Sequence, residues 1–206
     1  MHIYVASSWR NALQPDVVQA LREGPEAHTV YDFRHPPGGD HLGFSWDEID
    51  PDWRTWSKLE YLAAIEHPIA QAGFASDFQA MQRSHMGVLV LPSGRSAHLE
   101  AGYFVGAGKP LIILVPADDP GEAELMYLMA DAIALSVGEL IAGVSALEHH
   151  WRLLGQPAAG WRDVPLTPRD AAGACPECQA GPAMLHAPDC RLREAPFVTG
   201  TMGGSR

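Results

Sequence analysis

The sequence predicts a three-layer α/β fold, a parallel sheet covered by helices on both faces, followed by a small zinc-binding tail. Three observations predict it. Short apolar runs alternate with stretches of helical periodicity through the first 150 residues. The central runs are apolar at every position, as strands buried on both faces are. All three cysteines fall in the last 32 residues, beside a histidine, at metal-ligand spacing.

The elements follow in order. Residues 3–6 form a short apolar run ending in Ser7-Ser8, a strand meeting a polar loop. Over 10–23, Leu13, Val17, Val18 and Leu21 recur at helical spacing, and Gly24-Pro25 stops the helix. Residues 28–33 read as a second strand. The segment 34–52 is long for a connection. Its Phe44 and Trp46, with Trp53 just beyond, argue for a packed functional loop. Asp52 is placed to cap a helix over 53–66, ended by Pro68. Ser76-Asp77-Phe78-Gln79 fits a capping box opening a helix that runs to about Arg83.

Residues 86–91 are an apolar strand, followed by the turn Pro92-Ser93-Gly94-Arg95-Ser96 and a helix over 98–106. Strands over 110–115 and 132–135 and a helix over 137–154 complete the pattern. This is a flavodoxin-like or Rossmann-like arrangement. Such sheets place their sites at the carboxyl ends of the strands, so the loops 7–11, 31–35 and 92–96 are expected to converge.

The expected organisation is an α/β domain over 1–154, a linker over 155–174, a zinc-knuckle-like module over 175–197 and a disordered tail over 198–206. Segment 151–206 holds 6 basic and 5 acidic residues, a net of +1, so of the overall −11 the first 150 residues carry −12. So acidic a surface repels phosphate backbones, which argues against general nucleic-acid binding except through the tail. The chain has no apolar run of roughly 18 residues and no basic n-region before its first strand. A cytoplasmic protein without a membrane span is expected.

The turn before the 98–106 helix offers backbone N–H groups, a helix start and the side chains of Arg95 and Ser96, a combination suited to an anion. Glu100 lies one turn into the expected helix, whose dipole favours its ionised form. An ionised carboxylate in a cleft can attack an electrophilic carbon. A surface acid stabilising a first turn fits the spacing too. Asp77 is open to the same two readings. Together the acids would allow a glycosidase-like division of labour. Trp9, Phe33, Phe44 and Trp46 are candidate flat walls for a base, or ordinary core.

Three blocks in order carry a resemblance: 3–10, Asp77-Phe78 through Gly87-Val88-Leu89-Val90, and Gly94-Arg95-Ser96-Ala97-His98-Leu99-Glu100-Ala101-Gly102-Tyr103 through Gly108-Lys109-Pro110. A weaker block is Leu125-Met126 with Ala130-Asp131. Over residues 1–150 the chain resembles the nucleoside 2-deoxyribosyltransferase family. The resemblance implies that Glu100 is the nucleophile at the sugar C1′ and that Asp77 helps protonate the leaving base. It implies that Tyr4 orients the nucleophile and that Met126 is donated across a subunit interface, in a homodimer or larger oligomer. Ser7, Trp9, Phe33, Gly94, Arg95 and Ser96 are the further substrate-binding candidates.

The family's transferases carry another acid before the nucleophile, where this chain has Pro92-Ser93, and an amide where it has Asp131-Ala132. Ser93, Arg95 and Ser96 are more similar to the related deoxynucleoside 5′-monophosphate N-glycosidases, which hold a phosphate near the nucleophile. The expected activity is therefore cleavage or transfer of the N-glycosidic bond of a (deoxy)nucleoside or its 5′-monophosphate. Two alternatives share the cleft: an NAD glycohydrolase of the TIR type and a nucleotide sensor without turnover. An adaptor built around the tail is a third.

In the tail, Cys175, Cys178, His186 and Cys190 give C-x2-C-x7-H-x3-C, a tetrahedral zinc set. Four protein ligands leave no open position, so the zinc is expected to be structural, with no cofactor for catalysis. His35, His41, His85, His98, His149 and His150 show no ligand spacing with an acid or cysteine. They read as surface or loop positions, His98 also as a substrate contact.

Overall fold

In the computed structural model, residues 1–37, 43–116 and 124–154 are described. The linker, zinc-module and tail expectations, with Cys175, Cys178, His186 and Cys190, lie outside these residues. The sheet has five parallel strands in the order β2-β1-β3-β4-β5, and all four pairings are parallel. The strands are β1 (His2–Ala6), β2 (Thr29–Asp32), β3 (Met86–Val90), β4 (Leu111–Leu114) and β5 (Ala132–Ala134). The order reverses at β1, so the crevice between β1 and β3 is the topological switch point.

Strand alternation divides the core in two. Ile3, Val5, Met86, Val88, Val90, Ile112 and Leu114 face one side. There they meet Val17, Val18 and Leu21 of α1 (Gln14–Glu23) and Leu140, Val144 and Leu147 of α5 (Val137–Leu154). Tyr4, Ala6, Leu89, Leu111 and Ile113 face the other. They meet α3 (Pro68–Arg83) through Ala80 and Met81, and α4 (Arg95–Gly106) through Ala97, Ala101 and Phe104. The short helix α2 (Lys58–Ile65) precedes α3. The expected three-layer parallel fold is what the chain adopts.

Four boundaries differ from the sequence expectation, each for a local reason. α1 begins at Gln14, not near Arg10, because the Asn11 side chain closes a turn by accepting from the Leu13 N–H at 2.9 Å. Asp52 does not cap a long helix. It starts a 3₁₀ turn at Trp53–Thr55, and Ser57 with Glu60 forms the capping box that opens α2. Pro68 starts a helix, since proline's missing N–H is harmless in a first turn. Ser76–Gln79 is consequently the interior of α3, not its start, and the Ser76 hydroxyl bonds Tyr31 instead. Finally, α4 begins at Arg95, which puts Glu100 in its second turn.

Two glycines seat what surrounds the site. A Cβ on Gly87 would lie 2.7 Å from the Phe104 ring, which is fully buried, so only glycine lets that ring rest on β3. A Cβ on Gly73 would lie 2.6 Å from the Cβ of Phe44, so the aromatic loop docks on α3 at the residue without a side chain. Beyond Phe44 that loop is a packed aromatic series. Trp46 stands edge-on to Phe44 and Trp56, and Trp53 and Trp56 give their indole N–H groups to Asp47 and Asp50.

Lys109 explains the Gly-Lys-Pro stretch between α4 and β4. Its Nζ donates to the carbonyls of Met81, Gln82 and Ser84 at 2.7–2.8 Å, closing the C-terminal end of α3. Just before β2, Glu26 and His28 meet Glu148 of α5, their ligand atoms within 4.8 Å of one another. Sequence spacing hides this group. Glu148 pairs with Arg152 within α5 at 2.8 Å and with the N-terminal ammonium of Met1 at 3.7 Å, and the second contact ties α5 to the start of β1. Among the described residues, no helix is long and apolar enough to cross a membrane.

Candidate active site

The three loops at the carboxyl ends of β1, β2 and β3 do converge. The Asn11 amide donates to the carbonyls of Val90 and Pro92 and to the Ser7 hydroxyl at 3.1–3.2 Å. Ser7 in turn donates to Val90 O at 3.0 Å. Arg34 Nη2 donates to the carbonyls of Ser8 and Asn11, both at 2.8 Å. These bonds make one rigid rim from three segments distant in sequence, and they engage the Ser7 hydroxyl within the protein.

The carboxylates come from the helices, over the face of the sheet that carries Tyr4. Tyr4 on β1 and Tyr31 on β2 are register partners, so both rings project to the same face. The rings stack with centroids 5.3 Å apart and planes 13° from parallel. Tyr31 Oη donates to Asp77 Oδ1 at 2.8 Å and lies 3.0 Å from Ser76 Oγ. Phe104 packs on Tyr4 at 5.8 Å, and Glu100, one turn earlier on α4, faces the Tyr4 hydroxyl.

The electrostatics correct one expectation. Glu100 is not biased toward its charge: burial, then repulsion from Asp77, pushes its carboxyl from 4.5 up to about 7. The Tyr4 hydroxyl opposes that rise by favouring the ionised form. Placed in the second turn, Glu100 is beyond the strongest field of the helix end, and lost hydration decides. Burial also raises Asp77, against the hydrogen bond from Tyr31. Tyr4 is fully buried, and burial followed by the charges of Glu100 and Asp77 keeps its phenol protonated. Among the described residues its hydroxyl has no hydrogen-bond partner of good geometry. Two acids share a partly buried site, and ionising both is disfavoured.

The other candidates lie around this pair. Trp9 is 42% exposed and stands edge-on to Phe33 at 5.4 Å, with the Arg34 guanidinium 5.8–5.9 Å from both rings. Gly94, Arg95 and Ser96 are exposed at the start of α4, where no side chain caps the helix. Met126 is 59% exposed on the 3₁₀ turn Leu125–Met129. His98 joins that turn to α4: its Nε2 lies 2.9 Å from Tyr127 Oη and its Nδ1 2.8 Å from Gly94 O. Sequence reading missed Tyr31, Asn11 and Arg34 as parts of the site. For Tyr31 the signal was available, since it is an aromatic at the centre of a strand, as Tyr4 is.

No family model matches the chain, and no curated protein matches it. Among solved structures, the chain is similar to a 2-deoxyribosyltransferase from the psychrotolerant bacterium Bacillus psychrosaccharolyticus, at 19% identity and a TM-score of 0.43. That likeness covers 68% of this chain and 90% of the other. It is also similar to the CMP N-glycosidase of Clostridium botulinum, at 14% identity and a TM-score of 0.37, covering 70% of this chain and 99% of the other.

Proposed function

We propose that the chain cleaves or exchanges the N-glycosidic bond of a (deoxy)nucleoside or its 5′-monophosphate through a glycosyl ester on Glu100. The observation that carries this reading is the pairing of Glu100 and Asp77. They come from different helices, are both half-buried and repel each other, and each is served by a different tyrosine. Two acids that cannot easily both be charged are suited to one nucleophile and one proton donor.

Ionised Glu100 attacks C1′ as the C1′–N bond breaks and its electron pair goes to the base. Protonated Asp77, or a water it holds, supplies the proton that lets the base leave neutral. A second base, or water, then attacks C1′ and displaces the Glu100 carboxylate. In either case the proton lost by the attacking water or base returns to Asp77.

Exposed Arg95 and the uncapped start of α4 favour a 5′-monophosphate over the bare nucleoside. The exposed apolar side chains of Leu125, Met126, Leu128 and Met129 favour a homodimer in which that turn meets a second copy. Cys175, Cys178, His186 and Cys190 are proposed to hold a structural zinc.

The test is chromatographic base release from deoxynucleosides, their 5′-monophosphates and NAD, with and without a second free base, beside Glu100→Ala. Release from a deoxynucleoside or its monophosphate that Glu100→Ala abolishes supports the reading. Release of nicotinamide alone replaces it with NAD hydrolysis. Intact substrates with equal thermal stabilisation of both proteins replace it with a sensor.

A further inference from the structure

Asp77 is anchored through one oxygen only. Among the described residues its hydrogen-bond partner is Tyr31, at Oδ1. The Tyr31 hydroxyl has a single proton to give. With Ser76 Oγ 3.0 Å away, the consistent arrangement is a relay in which Ser76 donates to Tyr31 and Tyr31 donates to Asp77. A carboxyl that accepts a hydrogen bond at Oδ1 takes up its own proton at Oδ2. The tyrosine ring is itself fixed. It is buried, paired in register with Tyr4 and stacked on it at 5.3 Å. That stack links the support of Asp77 to the tyrosine beside Glu100.

We infer that Tyr31 is a positioning residue: its hydroxyl fixes the rotation of the Asp77 carboxyl and so selects Oδ2 as the oxygen that delivers the proton to the leaving base. This assignment rests on the proposed role of Asp77. It adds what that role requires, a reason why the proton sits on one oxygen and not the other. The groups facing Asp77 are Tyr31 on β2, Ser76 on α3, Glu100 on α4 and Tyr4 on β1.

The experiment uses the full chain and Tyr31→Phe, which keeps the ring and its stack and removes the hydroxyl. Asp77 is titrated by carboxyl carbon NMR, with Asp77→Asn as the assignment control, and base release is followed across pH. In Tyr31→Phe the Asp77 titration moves up by roughly one pH unit, because a donor to its charged form is lost. The kcat falls about 10- to 100-fold with KM within about threefold, since orientation and not binding is lost. Tyr31→Phe costs little further activity in the Asp77→Asn background.

An unmoved Asp77 titration overturns the inference whatever the activity. So does a moved titration with kcat unchanged, or a loss fully additive with Asp77→Asn. If the unsubstituted protein releases no base, the functional reading falls, and the titration alone decides whether Tyr31 governs the Asp77 proton.

Discussion

His98 Nε2 lies 2.9 Å from the Tyr127 hydroxyl, and the two rings stack with centroids 5.9 Å apart and planes 15° from parallel. The contact fastens the turn that carries Met126 to the helix that carries Glu100. A histidine that reads in sequence as a surface residue or substrate contact is thus a fastening. His98→Leu and Tyr127→Phe should each destabilise the protein, with a coupling of about 1 kcal/mol in a double-mutant cycle by chemical denaturation. Additive losses would show that the contact contributes nothing.

Glu100 makes stability and activity respond to pH in opposite directions. Its carboxyl is raised from 4.5 to about 7, so the folded state holds a proton that the unfolded chain releases. Stability therefore falls as pH rises from about 4.5 through about 7. Glu100→Gln should gain on the order of 1–3 kcal/mol over the unsubstituted protein at pH 8 and almost nothing at pH 4. Base release needs Glu100 ionised and Asp77 protonated, so kcat/KM should be bell-shaped, rising as Glu100 ionises and falling as Asp77 loses its proton. Asp77→Asn removes the repelling charge and should move the Glu100 titration down. Thermal melts and a pH–rate profile check both signs.

Arg95 is exposed beside the uncapped start of α4. If it holds a 5′-phosphate, Arg95→Ala should raise KM for a monophosphate about tenfold, equivalent to ~1.4 kcal/mol, and leave the matching nucleoside nearly unchanged. Steady-state kinetics on the two substrates decides it, and equal effects would remove the phosphate from the reading.

Lys109 satisfies three carbonyls at the end of α3 at once. Lys109→Met keeps the apolar stem and loses the ammonium, leaving those acceptors without their donor. The expected cost is about 2–4 kcal/mol in urea denaturation, mostly as a lower midpoint. A change under ~0.5 kcal/mol would mean that water replaces the ammonium freely.

The cysteine-histidine set predicts about one zinc per chain by elemental analysis. Cys175→Ser should lose most of the metal while base release by the α/β domain persists, since the proposed chemistry draws on no metal.

Much of the architecture was legible in the sequence because burial on both faces leaves a local signature. The apolar runs at 86–91 and 110–115 are β3 and β4 with their ends, and α5 spans Val137–Leu154 as the periodicity indicates. Convergence of the three loops followed from parallel topology. The starts of α3 and α4 were misread because short polar stretches fit a cap and a helix interior equally well. Pro68 and the Arg95 turn are settled by what packs around them.

By itself, the sequence determined the parallel sheet and its two apolar faces, which are properties of spacing along the chain, and its family resemblance pointed to Tyr4, Asp77 and Glu100. Tertiary structure alone decided their electrostatics. The charge on Glu100 depends on lost water and on a carboxylate 23 positions away in sequence. The hold on Asp77 depends on Tyr31, which strand register places beside Tyr4. Hydration and Coulomb repulsion act through space, and only the folded chain fixes those distances.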